Sequence, residues 1–160
     1  MSEAAKTGSK FVYVTFIRTS PEKLWDALTK PEFTRIYWYD MWQDCDWREG
    51  SPWKLMFSDG RIADQGTILV SERPKRLVIS WRNEWKPELK AEGASRASFE
   101  IEPAGPAVKL TVTHETAVPD SKLIEAVAGG WPLILSGLKS LIETGETLAI
   151  PHPHPRDPNA

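Results

Sequence analysis

The last long apolar segment of the chain, Gly129 to Gly145, carries Trp131, Leu135, Leu138, Ile142 and Gly145 at alternating spacings of four and three. That period places all five on one face of a helix. Upstream the pattern changes. Phe11 to Arg18 is dense in β-branched and aromatic residues and reads as a first strand. It stops at Thr19-Ser20-Pro21-Glu22, where Ser20 suits a helix N-cap and Pro21 the first helical position. Leu24, Trp25 and Leu28 form a short apolar stripe beyond it. Thr29 and Glu32 stand at capping-box spacing and predict a second short helix through Phe33, Ile36 and Tyr37.

Six further strands follow in series. They are predicted over Trp42 to Arg48, Pro52 to Phe57, Gln65 to Glu72, Arg76 to Asn83, Ser95 to Glu102 and Val108 to Thr113. Ser58-Asp59-Gly60, Arg73-Pro74-Lys75 and Pro103-Ala104-Gly105-Pro106 supply breaks and turns between them. Short links between successive strands favour an antiparallel meander. Pro119-Asp120 opens the C-terminal helical region, and Gly129-Gly130 is predicted to interrupt it before Trp131. The long helix then has only a sheet to lie on, which makes the chain α+β. One domain over residues 11–149 is expected, with a flexible N-terminus over 1–10 and a Pro-rich, disordered tail over 150–160.

Charge and composition narrow the function. The net charge is −2, and no basic stripe stands out among the Lys and Arg residues, which argues against nucleic-acid partners. Met1 to Lys10 lacks the apolar core of a secretory signal, and no run approaches the ~18–20 apolar residues of a membrane span. A single cysteine, Cys45, has no internal disulfide partner, so a cytoplasmic location is expected. Eight tryptophans suit either a wide, semi-apolar interior or an ordinary aromatic core.

Candidate chemistry is sparse. Alternation gives Trp53, Leu55 and Phe57 one face, as it does Leu77, Ile79 and Trp81, then Phe99 and Ile101, then Val108, Leu110 and Val112. On the first strand both faces are apolar. His114 continues the Val112 parity and should point inward, either toward a ligand or toward a neighbouring carbonyl or carboxylate. Cys45 sits between Asp44 and Asp46, whose charges disfavour a reactive thiolate. His152 and His154 have no metal-ligand partners at suitable spacing, and no metal or cofactor is expected. No Walker, Rossmann or nucleophile-elbow pattern occurs. The aromatic link Tyr37, Trp38, Tyr39, Met41 and Trp42 reads as a lid or partner patch (Tyr37, Trp38, Trp42), or as a plug for one end of the sheet. Glu84 to Lys90, with Trp85, is a rim element or a hairpin tip.

Ser20-Pro21-Glu22-Lys23-Leu24-Trp25, Thr29-Lys30-Pro31-Glu32 and the segment Gly130-Trp131 through Glu143-Thr144-Gly145 resemble the START-like, SRPBCC superfamily. Within it the chain is most similar to the activator of heat shock protein 90 ATPase homologue-like family. Trp47-Arg48-Glu49-Gly50-Ser51-Pro52-Trp53 and Asp64-Gln65-Gly66-Thr67 look like that family's central strands. The resemblance implies a helix-grip, birch-pollen-allergen-like fold. In that fold a curved antiparallel sheet has two short helices after its first strand and a long C-terminal helix packed across it, with a groove or cavity between.

Composition alone favours a filled core, because interiors pack densely; the resemblance puts a cavity on equal footing. The leading expectation is a non-enzymatic domain binding a hydrophobic or aromatic small molecule, with Trp53, Phe57, Trp81, Phe99, His114, Trp131, Leu135 and Leu138 as the lining. The family name implies an alternative, a protein-interaction module of the co-chaperone type or a regulator with a chaperone or other protein partner. A cyclase- or hydrolase-like enzyme ranks below both, since only His114 offers acid–base chemistry.

Overall fold

The computed structural model describes residues 8–151. Residues 1–7 and 152–160, with most of the expected flexible N-terminus and of the Pro-rich tail and both His152 and His154, lie outside them.

Strand β1 (Ser9–Ile17) settles the ambiguity of its doubly apolar sequence. Phe11, Tyr13, Thr15 and Ile17 turn inward, while Val12, Val14 and Phe16 are exposed on the outer face. Helix α1 (Pro21–Thr29) starts as its sequence predicts, with Ser20 Oγ accepting the Lys23 N–H at 3.3 Å. Helix α2 (Pro31–Tyr37) does not begin with the expected capping box. Thr29 is the buried last residue of α1, and its hydroxyl donates to the Trp25 carbonyl at 2.8 Å. Lys30 is the N-cap instead, held extended (φ −88°, ψ 135°) as the residue before a proline must be.

The remaining strands are β2 (Trp42–Cys45), β3 (Pro52–Met56), β4 (Ile62–Glu72), β5 (Arg76–Asn83), β6 (Ser95–Ala104) and β7 (Ala107–Thr116). A four-residue helix, α3 (Pro87–Lys90), interrupts the β5–β6 link. All seven strands form one antiparallel sheet in the order β1-β7-β6-β5-β4-β3-β2. Register shifts at Leu55/Met56 and Ile68/Val70 place irregularities in β3 and β4, the kind of feature that bends a sheet.

Helix α4 (Lys122–Thr144) closes the fold. The predicted break at Gly129-Gly130 is absent: the helix continues through both glycines and through Pro132. A glycine in a helix interior costs ~1 kcal/mol against alanine and a proline more. Burial of Trp131, Ile134, Leu135 and Leu138 along one side offsets that cost. Gly145, at φ 88°, ends the helix in the left-handed cap that glycine takes without strain. Gly137 lets α4 come close to α2, since a Cβ there would lie 3.5 Å from the Tyr37 Cβ and 2.8 Å from Thr147 Oγ1.

The result is the helix-grip architecture, with the core between the inner sheet face and α4, and α1 and α2 closing it. Among the described residues no helix is long and apolar enough to cross a membrane.

Candidate functional site

The space beneath α4 is open along its N-terminal half. Leu135 and Leu138 are fully buried in the same core as Ile17, Leu24 and Leu110. Nearer the start of α4 a cavity of about 80 Å³ remains, well above the ~10–15 Å³ that one water needs. Four indoles wall it: Trp38, Trp81, Trp85 and Trp131. The helical side is small or aliphatic, through Leu123, Ala126, Val127, Gly130 and Ile134. Lys86 and Leu89, from the β5–β6 link, also line it.

The indoles interlock. Ring centroids of Trp38 and Trp131 lie 5.5 Å apart, those of Trp81 and Trp131 5.7 Å, and those of Trp53 and Trp81 4.4 Å. Gly66 belongs to the same row of the sheet. It stands between Trp53 and Trp81 in the register of β3, β4 and β5, and a Cβ there would collide with the Ser80 carbonyl. Trp38 is buried, and its Nε1–H has no partner among the described residues.

One row of the sheet brings polar chemistry to the cavity. Leu55, Asp64 and Asn83 are directly opposed across β3, β4 and β5, and all three line it. Asp64 and Asn83 are each only 4% exposed. Neither was predicted. Asn83 continues the inward parity of Leu77, Ile79 and Trp81, so alternation carried one step further finds it. Asp64 precedes the predicted start of its strand at Gln65; β4 begins at Ile62.

His114 is fully buried, as its parity predicts, but it does not line the cavity. The Trp131 indole N–H donates to its Nδ1 at 3.2 Å. Its Nε2 lies 2.9 Å from Ser95 Oγ. The Ser95 hydroxyl donates to the Trp81 carbonyl at 2.8 Å, so its oxygen is left to accept, which places the imidazole proton on Nε2. The partners are thus an indole and a hydroxyl, where a backbone carbonyl or carboxylate was the alternative to a ligand. Burial pushes the imidazole pKa from 6.5 down to about 3. A neutral ring with both nitrogens engaged has no proton to exchange with a substrate at neutral pH.

The other sequence candidates distribute clearly. Trp81 and Trp131 line the cavity, while Trp53, Phe57, Phe99, Leu135 and Leu138 are buried in the packed core around it. Tyr37 and Trp38 are buried, so no exposed patch forms there; the Tyr37 hydroxyl donates to the Ala27 carbonyl at 2.8 Å. Trp42 is half-buried with the Arg35 guanidinium 5.7 Å from its ring. Burial raises the Cys45 thiol pKa, and the charges of Asp46 and Asp44 raise it further, against hydrogen bonds from Trp47 and Ser51 that lower it. Among the described residues no group of three His, Cys, Asp or Glu is placed to hold a metal.

The profile of the family described as Activator of Hsp90 ATPase homolog 1-like protein matches residues 18–143. Among solved structures the chain is similar to CalU16 from Micromonospora echinospora, with a TM-score of 0.68 and 24% identity over 86% of this chain and 78% of that one. A protein from Mesorhizobium loti superposes with a TM-score of 0.72 and 23% identity over 84% of this chain and 97% of that one. An HSP90 activator from Plasmodium falciparum gives 0.67 and 18% identity over 82% and 94%. No curated protein sequence matches the chain. At these identities the likenesses speak for the fold.

Proposed function

This chain belongs to the Activator of Hsp90 ATPase homolog 1-like protein family, and we propose that it acts there as a non-enzymatic domain holding an aromatic or lipophilic small molecule beneath α4. One observation carries this reading: a cavity walled by Trp38, Trp81, Trp85 and Trp131 stays open beside the packed core. Ligand sites are typically concave and mostly apolar, with a few fixed polar groups. Here those groups are Asp64 and Asn83. Removing apolar ligand surface from water supplies ~25 cal/mol per Å², less the cost of ordering the ligand. The test is a screen of aromatic fragments against 15N-labelled protein, read at the indole N–H signals. Fragments should shift Trp85 and Trp131. A screen that moves neither indole would sink the proposal.

A second reading, favoured by the family description, is a protein-interaction domain that binds a chaperone of the Hsp90 type and raises its ATPase rate. Chaperone turnover measured with and without this protein decides it, an unchanged rate counting against the reading.

A further inference from the structure

We propose that the cavity takes a compact neutral carbonyl compound, a small ketone or aldehyde, whose oxygen accepts from the side-chain amide of Asn83. This inference rests on the ligand-binding reading above and specifies its chemistry.

Two bonds fix the Asn83 amide. Its Oδ1 accepts the backbone N–H groups of Trp85 at 3.1 Å and Lys86 at 2.8 Å. Only the oxygen can accept, so these bonds settle which end of the amide is which and use both its lone pairs. The N–H2 is the other end. Asn83 is 4% exposed, and among the described residues nothing accepts from that nitrogen. Yet the nitrogen is not sealed in by protein atoms, and the open space that Asn83 lines is the cavity. The Trp38 Nε1–H, the second unpartnered donor of the lining, differs on this point: it is sealed. Asn83 therefore carries the donor that a bound molecule can reach. A buried donor left unmet costs ~1–3 kcal/mol, which a ligand bringing an acceptor recovers.

Size and polarity narrow the class. A cavity of ~150 Å³ holds one benzene. On that scale a cavity of about 80 Å³ admits about three or four non-hydrogen atoms. Trp38, Trp81 and Trp131 offer apolar surface to the methyl or methylene groups among them. A carbonyl brings an acceptor and no donor, so no hydrogen of its own is stranded among the indoles. It also requires nothing of Asp64, the residue opposite Asn83 on β4, which is already engaged. A carboxylate would carry its charge into the cavity. The cationic side chain of the lining, Lys86, holds its ammonium over the Trp85 ring, 5.3 Å from the centroid. An ion buried without a partner costs far more than one hydrogen bond returns.

Three probes of one size and shape test this: acetone, 2-methylpropene and acetate. The first carries the carbonyl, the second replaces its oxygen by a methylene, and the third carries the charge. Each is titrated into 15N-labelled protein. Acetone should move the Asn83 side-chain N–H2 signals downfield in step with the indole signals of Trp85 and Trp131. 2-Methylpropene should move the indole signals without the downfield Asn83 shift. Acetate should move neither. Indole shifts with both neutral probes, but no downfield Asn83 shift with acetone, overturn the carbonyl proposal and leave the apolar-cavity reading standing. An Asn83 shift as large with acetate as with acetone overturns the choice of a neutral ligand. If no probe moves either set of signals, both readings fall.

Discussion

The indole N–H of Trp131, on α4, donates to Nδ1 of His114, on β7, at 3.2 Å. Helix and sheet are thus joined by a directional bond inside an otherwise apolar seam. The bond continues through Ser95 on β6 to the Trp81 carbonyl on β5. Every donor in this relay has one acceptor, which is the condition under which buried polar groups fix an arrangement instead of weakening it.

The relay makes stability depend on mild acid. Unfolded, the His114 imidazole titrates at its ordinary 6.5; folded, at about 3. Above pH 6.5 both states are neutral and nothing is lost. Below it the unfolded chain takes up a proton that the folded protein refuses. Stability therefore falls by about 1.4 kcal/mol per pH unit and levels off near pH 3. His114→Gln keeps an acceptor and a donor but cannot titrate. Its stability deficit relative to the parent, measured by urea unfolding, should shrink steadily between pH 7 and pH 5. A constant deficit would refute the depressed imidazole.

The sequence made much of this architecture legible, because strand parity and helical period both report burial. Parity placed His114, Trp81 and Phe99 inward, and the four-and-three spacing marked Trp131, Leu135 and Leu138. It was silent on which part of the helix–sheet interior is empty, since Leu135 in a packed half and Trp131 at a cavity wall have the same signature. It also misjudged Gly129-Gly130, where local propensity lost to the burial of the residues that follow. Asp64 escaped notice because acidic residues are rarely buried; its inward position follows only from the register with Asn83 and Leu55.

Gly66 is irreplaceable on steric grounds. A methyl group there meets the Ser80 carbonyl of the neighbouring strand, a backbone atom that cannot move without breaking the β4–β5 ladder. Gly66→Ala should cost about 3 kcal/mol or more, read as a lower urea midpoint. A loss below ~1 kcal/mol, the ordinary scale for a strand substitution, would show that β4 yields locally.

The rim of the cavity is tied to the start of α4. Ser121 Oγ accepts the Ile124 N–H at 3.1 Å and donates to Glu92 Oε1 at 2.6 Å, while Glu92 Oε2 accepts the Lys122 N–H at 2.7 Å. Glu92 thereby places its carboxylate at the positive end of the helix. Ser121→Ala removes the cap and should cost ~1–2 kcal/mol. Hydrogen exchange at Ile124 should accelerate, with the middle of α4 much less affected. Uniform acceleration along α4 would mean that the cap supports the whole helix and not its first turn.

Trp131 and Trp38 offer an internal control on the relay. Both are buried, both line the cavity, and Trp→Phe removes the same ring atoms from each. The packing losses are therefore comparable. Their N–H groups differ. That of Trp131 satisfies His114, so Trp131→Phe leaves a buried imidazole acceptor bare, at ~1–3 kcal/mol. That of Trp38 satisfies nothing among the described residues, so Trp38→Phe deletes a stranded donor and regains part of its packing loss. Trp131→Phe should be the more destabilising by at least ~1 kcal/mol in guanidinium unfolding at pH 7.5, where His114 is neutral in both states. Combining Trp131→Phe with His114→Phe should recover that difference, because the bare acceptor goes with the donor. Equal losses for the two single variants would mean that the Trp131–His114 bond adds nothing to the grip of α4 on the sheet.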